Sequence, residues 1–220
     1  MQENRLVKVG AVFAILGTVI GAIGNLAHPR EVDYENIIDS TIVVVAETPN
    51  WIPLHLALVV AVVFSTMGVG ALSRSIGGSG SGISRLGFIS ILIGGAGLVL
   101  NLALDGVAVP TAVEAGESLI AATLITGSNA LFAINVIVFF GIGFLLMGLG
   151  VAMSNNYPRI LGWVAAAGGG LNIAVGAMMS VNGQSVDTTN LFLVGSLLTT
   201  VWLFVMAILM FGKGGKEAGA

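Results

Sequence analysis

Six separate stretches of this chain are each long and apolar enough to cross a membrane as a helix, and that property constrains the fold more than any other. The hydrocarbon core is about 30 Å thick and a helix rises about 1.5 Å per residue, so one crossing takes about 20 mostly apolar residues. The stretches are residues 9–27, 52–73, 86–104, 129–152, 160–181 and 190–211. Backbone groups in lipid must be bonded within the structure itself, which leaves helices or a closed barrel. The in–out alternation of barrel strands is missing here. The predicted fold is therefore all-α: a polytopic bundle of six transmembrane helices forming a single domain over residues 1–220. Composition agrees, because 56% of the 220 residues are hydrophobic and only 9% are charged. A soluble globular domain carries about a quarter charged residues, so lipid must cover most of this exterior.

Charge sets the expected orientation. Arg5, Lys8, Arg74, Arg85, Arg159, Lys213 and Lys216 all fall on one side of a six-span arrangement, and only Arg30 falls on the other. Cytoplasmic loops are enriched in Lys and Arg, which predicts an inner-membrane protein with both termini in the cytoplasm. Most carboxylates lie opposite, from Glu31 and Asp33 to Asp187, with Glu3 and Glu217 inside. The first stretch follows Arg5 and Lys8 as a secretory leader would, but Glu3 and its length favour a span. Residues 77–82 are all Gly and Ser, the composition of a flexible linker. On the outer side, residues 32–46 place Val32, Tyr34, Ile37, Ile38, Ile42 and Val45 at mostly helical spacing. A short helix against the membrane surface or the bundle is expected there, and a second over residues 111–126.

The odd spans open alike, at Arg5-Leu6, Arg85-Leu86-Gly87 and Arg159-Ile160-Leu161-Gly162. The second and fourth end alike, in Phe64 to Gly70 and Phe144 to Gly150, with Met67-Gly68 matching Met147-Gly148. This pattern predicts three tandem helical hairpins. Small residues permit close helix packing in lipid, so Gly17, Gly21, Gly24, Gly94, Gly168 and Gly169 are the expected packing positions. The odd spans should make the inner contacts, while the even spans, with Phe64, Phe132, Phe139, Phe140, Phe144, Phe192 and Phe204, should meet more lipid.

Ionisable residues in spans are functional candidates because their burial in lipid is costly. Here they gather near the outer ends of the first three spans, as Asn25 with His28, Trp51 with His55, and Asn101 with Asp105. Each pair is three or four residues apart and shares a helix face. One reading is a polar ligand site of His28, His55, Asp105, Asn25 and Asn101, in which two imidazoles and a carboxylate form a recognised set for a metal ion. The other is a ring of interfacial residues meeting headgroups and water, with Asp105-Gly106 ending its helix. Haem between His28 and His55 is a further alternative, since histidine is the usual axial ligand. Trp51 and Trp163 fit aromatic-belt anchors at opposite surfaces.

Asn25-Leu26-Ala27-His28-Pro29, Trp51-Ile52-Pro53-Leu54-His55, Asp105-Gly106 and Pro158-Arg159-Ile160-Leu161-Gly162-Trp163 resemble a loose group of six-span bacterial and archaeal membrane proteins of unknown function. That resemblance implies a fold and no activity. The absence of cysteine excludes thiolate metal sites and cysteine nucleophiles. The scarcity of clustered Lys and Arg argues against nucleic acid as a partner. No nucleotide-binding or nucleophile-elbow motif points to an enzyme, and no catalytic residue or obligatory cofactor is predicted. The expected partner is the bilayer, with self-association or docking to a larger membrane complex as further expectations. Three functions stay open: binding or transport of a small polar solute or ion, an accessory subunit, and a metal- or haem-dependent membrane protein.

Overall fold

The computed structural model describes residues 2–29 and 33–216, with side chains over 5–29 and 33–212. Arg30, Glu31 and Val32, and the side chains of Glu3, Lys213, Lys216 and Glu217, lie outside the described residues. Six helical rods are long and apolar enough to span a membrane, and among the described residues there is no strand. The protein is an integral membrane helix bundle.

The first span is α1 (Gln2–Ala27) and the second is α3 (Trp51–Ser75), with the short α2 (Ile37–Glu47) between them. The third begins as α4 (Ser81–Ala103), passes through a π-helical turn at Leu104–Ala108 and continues as α5 (Val109–Glu114). The fourth begins as α6 (Ser118–Asn135), has a π-helical stretch at Val136–Gly143 and ends as α7 (Phe144–Ala152). The fifth and sixth are α8 (Arg159–Asn182) and α9 (Val186–Lys216).

Two rods exceed expectation. The third runs unbroken over Gly78–Glu114, 37 residues, and the fourth over Ser118–Ala152, 35 residues. At about 1.5 Å per residue each is roughly 50 Å long, well beyond the bilayer core, so their ends project. Residues 111–126 therefore form no separate outer helix: they finish the third rod and start the fourth, joined by a turn at Gly116 with φ 72°. Hydropathy marks only the part of a helix that lipid surrounds. The helix expected within residues 32–46 is present as α2, which lies on the bundle and packs Val45 with Trp51, Val109 and Ile125.

Each span packs on its chain neighbours, and α9 returns to α1, so the six form a closed ring. Its centre is filled. Trp202, Met206 and Met210 of α9 share one buried cluster with Phe144 and Met147 of α7 and Leu72 of α3. The expected division between odd and even spans is not seen. In the most apolar window of each span, 28%, 33% and 44% of the first, third and fifth are buried against 28%, 44% and 39% of the second, fourth and sixth, so burial does not follow the odd or even order. Phe139, Phe144 and Phe192 face inward because the centre of a ring needs bulk, which the glycine-rich odd spans do not supply.

The glycines instead lie where an odd span meets an even one. A methyl group on Gly17 would strike Ser65, on Gly24 Leu58, and on Gly94 the backbone of Phe139. Gly21 is looser, with Ala61 at ordinary contact distance, and Gly168 faces Leu198 and Thr199 of α9. The matched Gly68 and Gly148 meet different neighbours: Gly68 lies on Ala14 of the first span, Gly148 on Ala166 of the fifth.

Residues 77–82 do not form a loose linker. They contain a 3-10 turn at Gly78–Gly80, Ser79 Oγ donates to Met153 O at 3.1 Å, and Gly80 is buried against the Gly150 carbonyl. Without a side chain Gly80 can reach that backbone, and contact replaces flexibility. Beside it Asn156 Nδ2 donates to Ser75 O at 2.8 Å, and the Ser75 and Tyr157 hydroxyls lie 2.6 Å apart. Burial pushes the Tyr157 phenol above its usual range, and the Ser75 hydroxyl partly opposes this.

Candidate metal centre

Local sequence places each polar residue. Proline disfavours helix in the residue before it, so α1 stops at Ala27 and His28 leaves the helix ahead of Pro29. The His28 ring turns toward α3, with Nδ1 2.9 Å from Pro29 O and Nε2 3.4 Å from His55 Nε2. Pro53 is tolerated in α3 because first-turn N–H groups have no partner within the helix. One turn after Trp51, His55 is 1% exposed, and its Nδ1 lies 2.9 Å from Trp51 O.

Asp105 is delivered by the π turn. A proline ring would clash with the carbonyl four residues earlier, and Pro110 stands four residues after Gly106. The chain absorbs this by widening. Val109 N–H bonds to Leu104 O, a five-residue step, and the helix continues past Asp105-Gly106 instead of ending there. The turn comes so close to α3 that a methyl on Gly106 would overlap the His55 side chain. Asp105 Oδ2 then lies 3.0 Å from His55 Nε2.

Hydrogen bonding dictates what these atoms offer. A carbonyl oxygen can only accept, so both Nδ1 atoms carry the proton that they donate to Pro29 O and Trp51 O. In the neutral rings both Nε2 atoms then present lone pairs, and they converge with a carboxylate. Three acceptors at such distances repel one another unless positive charge sits among them, as a metal ion or as a further ring proton, and the His55 Nε2–Asp105 Oδ2 contact also has the geometry of an ion pair. One candidate ligand atom from each of His28, His55 and Asp105 lies within 4.8 Å of the others. Zinc bonds imidazole at about 2.0–2.1 Å, so neighbouring ligands of a tetrahedral ion are about 3.3 Å apart. The separations of 3.4 and 3.0 Å lie close to that edge, and the remaining pair, His28 with Asp105, lies within 4.8 Å. They suit a single ion better than the flat macrocycle of haem.

The site is shielded by Trp51, 4% exposed, whose ring centroid is 4.7 Å from that of His55 and 5.1 Å from that of His28. Read from sequence as a belt anchor, Trp51 is instead an interior residue, whereas Trp163 is 57% exposed on the surface. The two asparagines turn elsewhere. Asn101 Nδ2 donates to Ser128 O at 2.8 Å and to Ser128 Oγ at 2.7 Å, tying α4 to α6. Asn25 Nδ2 donates to Gly21 O in its own helix at 2.9 Å. Beyond His28, Asp33 caps the turn before α2. Hydrogen bonds from the Asn36 side chain and the Glu35 N–H hold its carboxyl below the usual carboxylate range.

Sequence reasoning paired Trp51 with His55 but took it for a belt anchor, and it passed over Gly106 and Pro110 as parts of the site. The signal was Pro110 itself, a proline inside an apolar stretch five residues after Asp105. The fold and the cluster together define a six-span membrane protein with a preformed histidine–histidine–aspartate group at one end of its ring. No family model matches the chain, and no curated protein or solved structure matches it either.

Proposed function

We propose that the protein binds a divalent transition-metal ion, Zn2+ foremost, on the outer face of its membrane, through His28 Nε2, His55 Nε2 and Asp105. The observation carrying this reading is the convergence of His28 Nε2, His55 Nε2 and an Asp105 carboxylate oxygen, with each Nδ1 beside a backbone carbonyl that can only accept. Metal-ligating histidines characteristically donate their other ring nitrogen in this way. The donor set favours a borderline ion over Mg2+ or Ca2+, which take oxygen ligands. Binding is favoured over passage, because Trp202, Met206 and Met210 fill the centre of the ring.

Equilibrium dialysis of detergent-purified, chelator-treated protein tests the proposal. One Zn2+ per chain should bind, and excess Mg2+ should not displace it. His55→Ala and Asp105→Ala each remove a direct ligand. Their cost should exceed the 10–100-fold typical of an outer-shell partner. Binding that survives in both variants would overturn the reading.

The orientation rests on the basic residues at one end of the ring, Arg5 and Lys8 of α1, Arg74 of α3, Arg85 of α4 and Arg159 of α8. Single cysteines introduced at Glu35 and Glu114 should react with an impermeant thiol reagent on intact cells, and one at Ser79 should not. The opposite pattern would put the site in the cytoplasm.

A further inference from the structure

The Asp105 carbonyl has no ordinary helical partner. An α-helix would offer it the N–H of Val109, and a π-helix that of residue 110. The Val109 N–H is bonded to Leu104 O, and Pro110 has none. The partner comes from another span: Trp51 Nε1 donates to Asp105 O at 2.8 Å. The backbone oxygen of Trp51 meanwhile lies 2.9 Å from His55 Nδ1. One residue thus holds the main chain of the carboxylate ligand with its indole and fixes the tautomer of an imidazole ligand with its carbonyl.

We propose that Trp51 is the positioning residue of the site, and that its indole N–H aims the Asp105 carboxylate at His55 by bonding the carbonyl that Pro110 leaves without a partner. This rests on the metal reading above. The π turn puts Asp105 on the α3 side of its rod, but nothing within that rod pins the carbonyl that precedes Gly106. The indole does so where water is largely kept out, since Trp51 is 4% exposed and Gly106 is packed on His55. Without the N–H, the turn is free to swing its unbonded carbonyl toward solvent, taking the carboxylate with it.

The test is a Zn2+ titration of the full-length protein in detergent, in a cycle of wild type, Trp51→Phe, Asp105→Ala and the double variant. Phe keeps a ring beside His55 and removes the N–H. Leaving a buried carbonyl unbonded should weaken Zn2+ binding about tenfold. In the Asp105→Ala background, where there is no carboxylate to aim, Trp51→Phe should weaken it no further. The Co2+-loaded protein should also show a shifted visible spectrum in Trp51→Phe, which altered packing away from the ion would not produce. If Trp51→Phe does not accumulate, a benzothienylalanine at position 51 exchanges the N–H for sulfur in a ring of the same shape, and the same tenfold loss is expected. Wild-type binding in either position-51 variant, or an equal loss with and without Asp105, would overturn this inference alone. A wild-type protein that takes up no Zn2+ would overturn the metal reading as well.

Discussion

Replacing Gly106 by alanine should abolish high-affinity Zn2+ binding although it removes no ligand. The added methyl would overlap the His55 Cβ, which the backbone fixes in place, and approach its Cγ at 2.6 Å, which can move only if the whole buried ring turns. The π turn must therefore retreat from α3. As it does, it carries Asp105 Oδ2 off His55 Nε2 and the Asp105 carbonyl off the Trp51 indole. The loss of affinity should approach that of Asp105→Ala. The helical circular dichroism should stay unchanged, because the turn is a small part of a 37-residue rod. Wild-type affinity in this variant would mean that the approach of the two spans is not what assembles the site.

The second large effect concerns stability, at two adjacent glycines of α8. A methyl on Gly169 would meet the backbone of Leu145 and lie 2.7 Å from the Gly141 carbonyl, whereas one on Gly170 would meet nothing within 4 Å. Forcing a methyl into a packed helix interface costs about 1–3 kcal/mol. At an open helical position, exchange of glycine for alanine instead gains up to about 1 kcal/mol. Gly169→Ala should lower the thermal midpoint in detergent, and Gly170→Ala should leave it unchanged or raise it. Equal shifts in the same direction would contradict the seating of α8 on α7.

The contrast between these neighbours marks how far the sequence could be read. Hydropathy located all six spans, because the thickness of lipid imposes a length that residues report directly. The run of Gly168, Gly169 and Gly170 announced close packing, but not that the first faces α9, the second α7 and the third neither. Which partner a glycine meets depends on helix rotation, and small residues look alike from every side. Aromatic bulk misled for a related reason: Phe144 and Trp202 are as apolar as a lipid-facing residue, and only ring closure directs them inward. At the site, the chemistry of His28, His55 and Asp105 was visible because such residues are rare in spans. Asn25 and Asn101 share helix faces with them by spacing, yet their amides bond to Gly21 and Ser128. The π turn shifts the helical register just after Asn101, so spacing counted on an ideal α-helix fails there. Pro110 held that information all along.

Closure of the ring by α9 against α1 also has a consequence for biogenesis. A ribosome-bound chain enters the membrane from its amino end, so α1 and α3 can pair early through Gly17 and Gly68. Val7, Ala11 and Ala14 of α1, however, belong to the cluster completed by Met206 and Met210, at the opposite end of the sequence. Until the sixth span emerges, the bundle is an open arc with a seam along α1 that lipid must fill. The His28, His55 and Asp105 group needs only the first three spans. The newborn protein can thus assemble the His28, His55 and Asp105 group before its own centre exists, and if that group takes a metal as proposed, an ion captured then would fasten the arc that the last helix later closes.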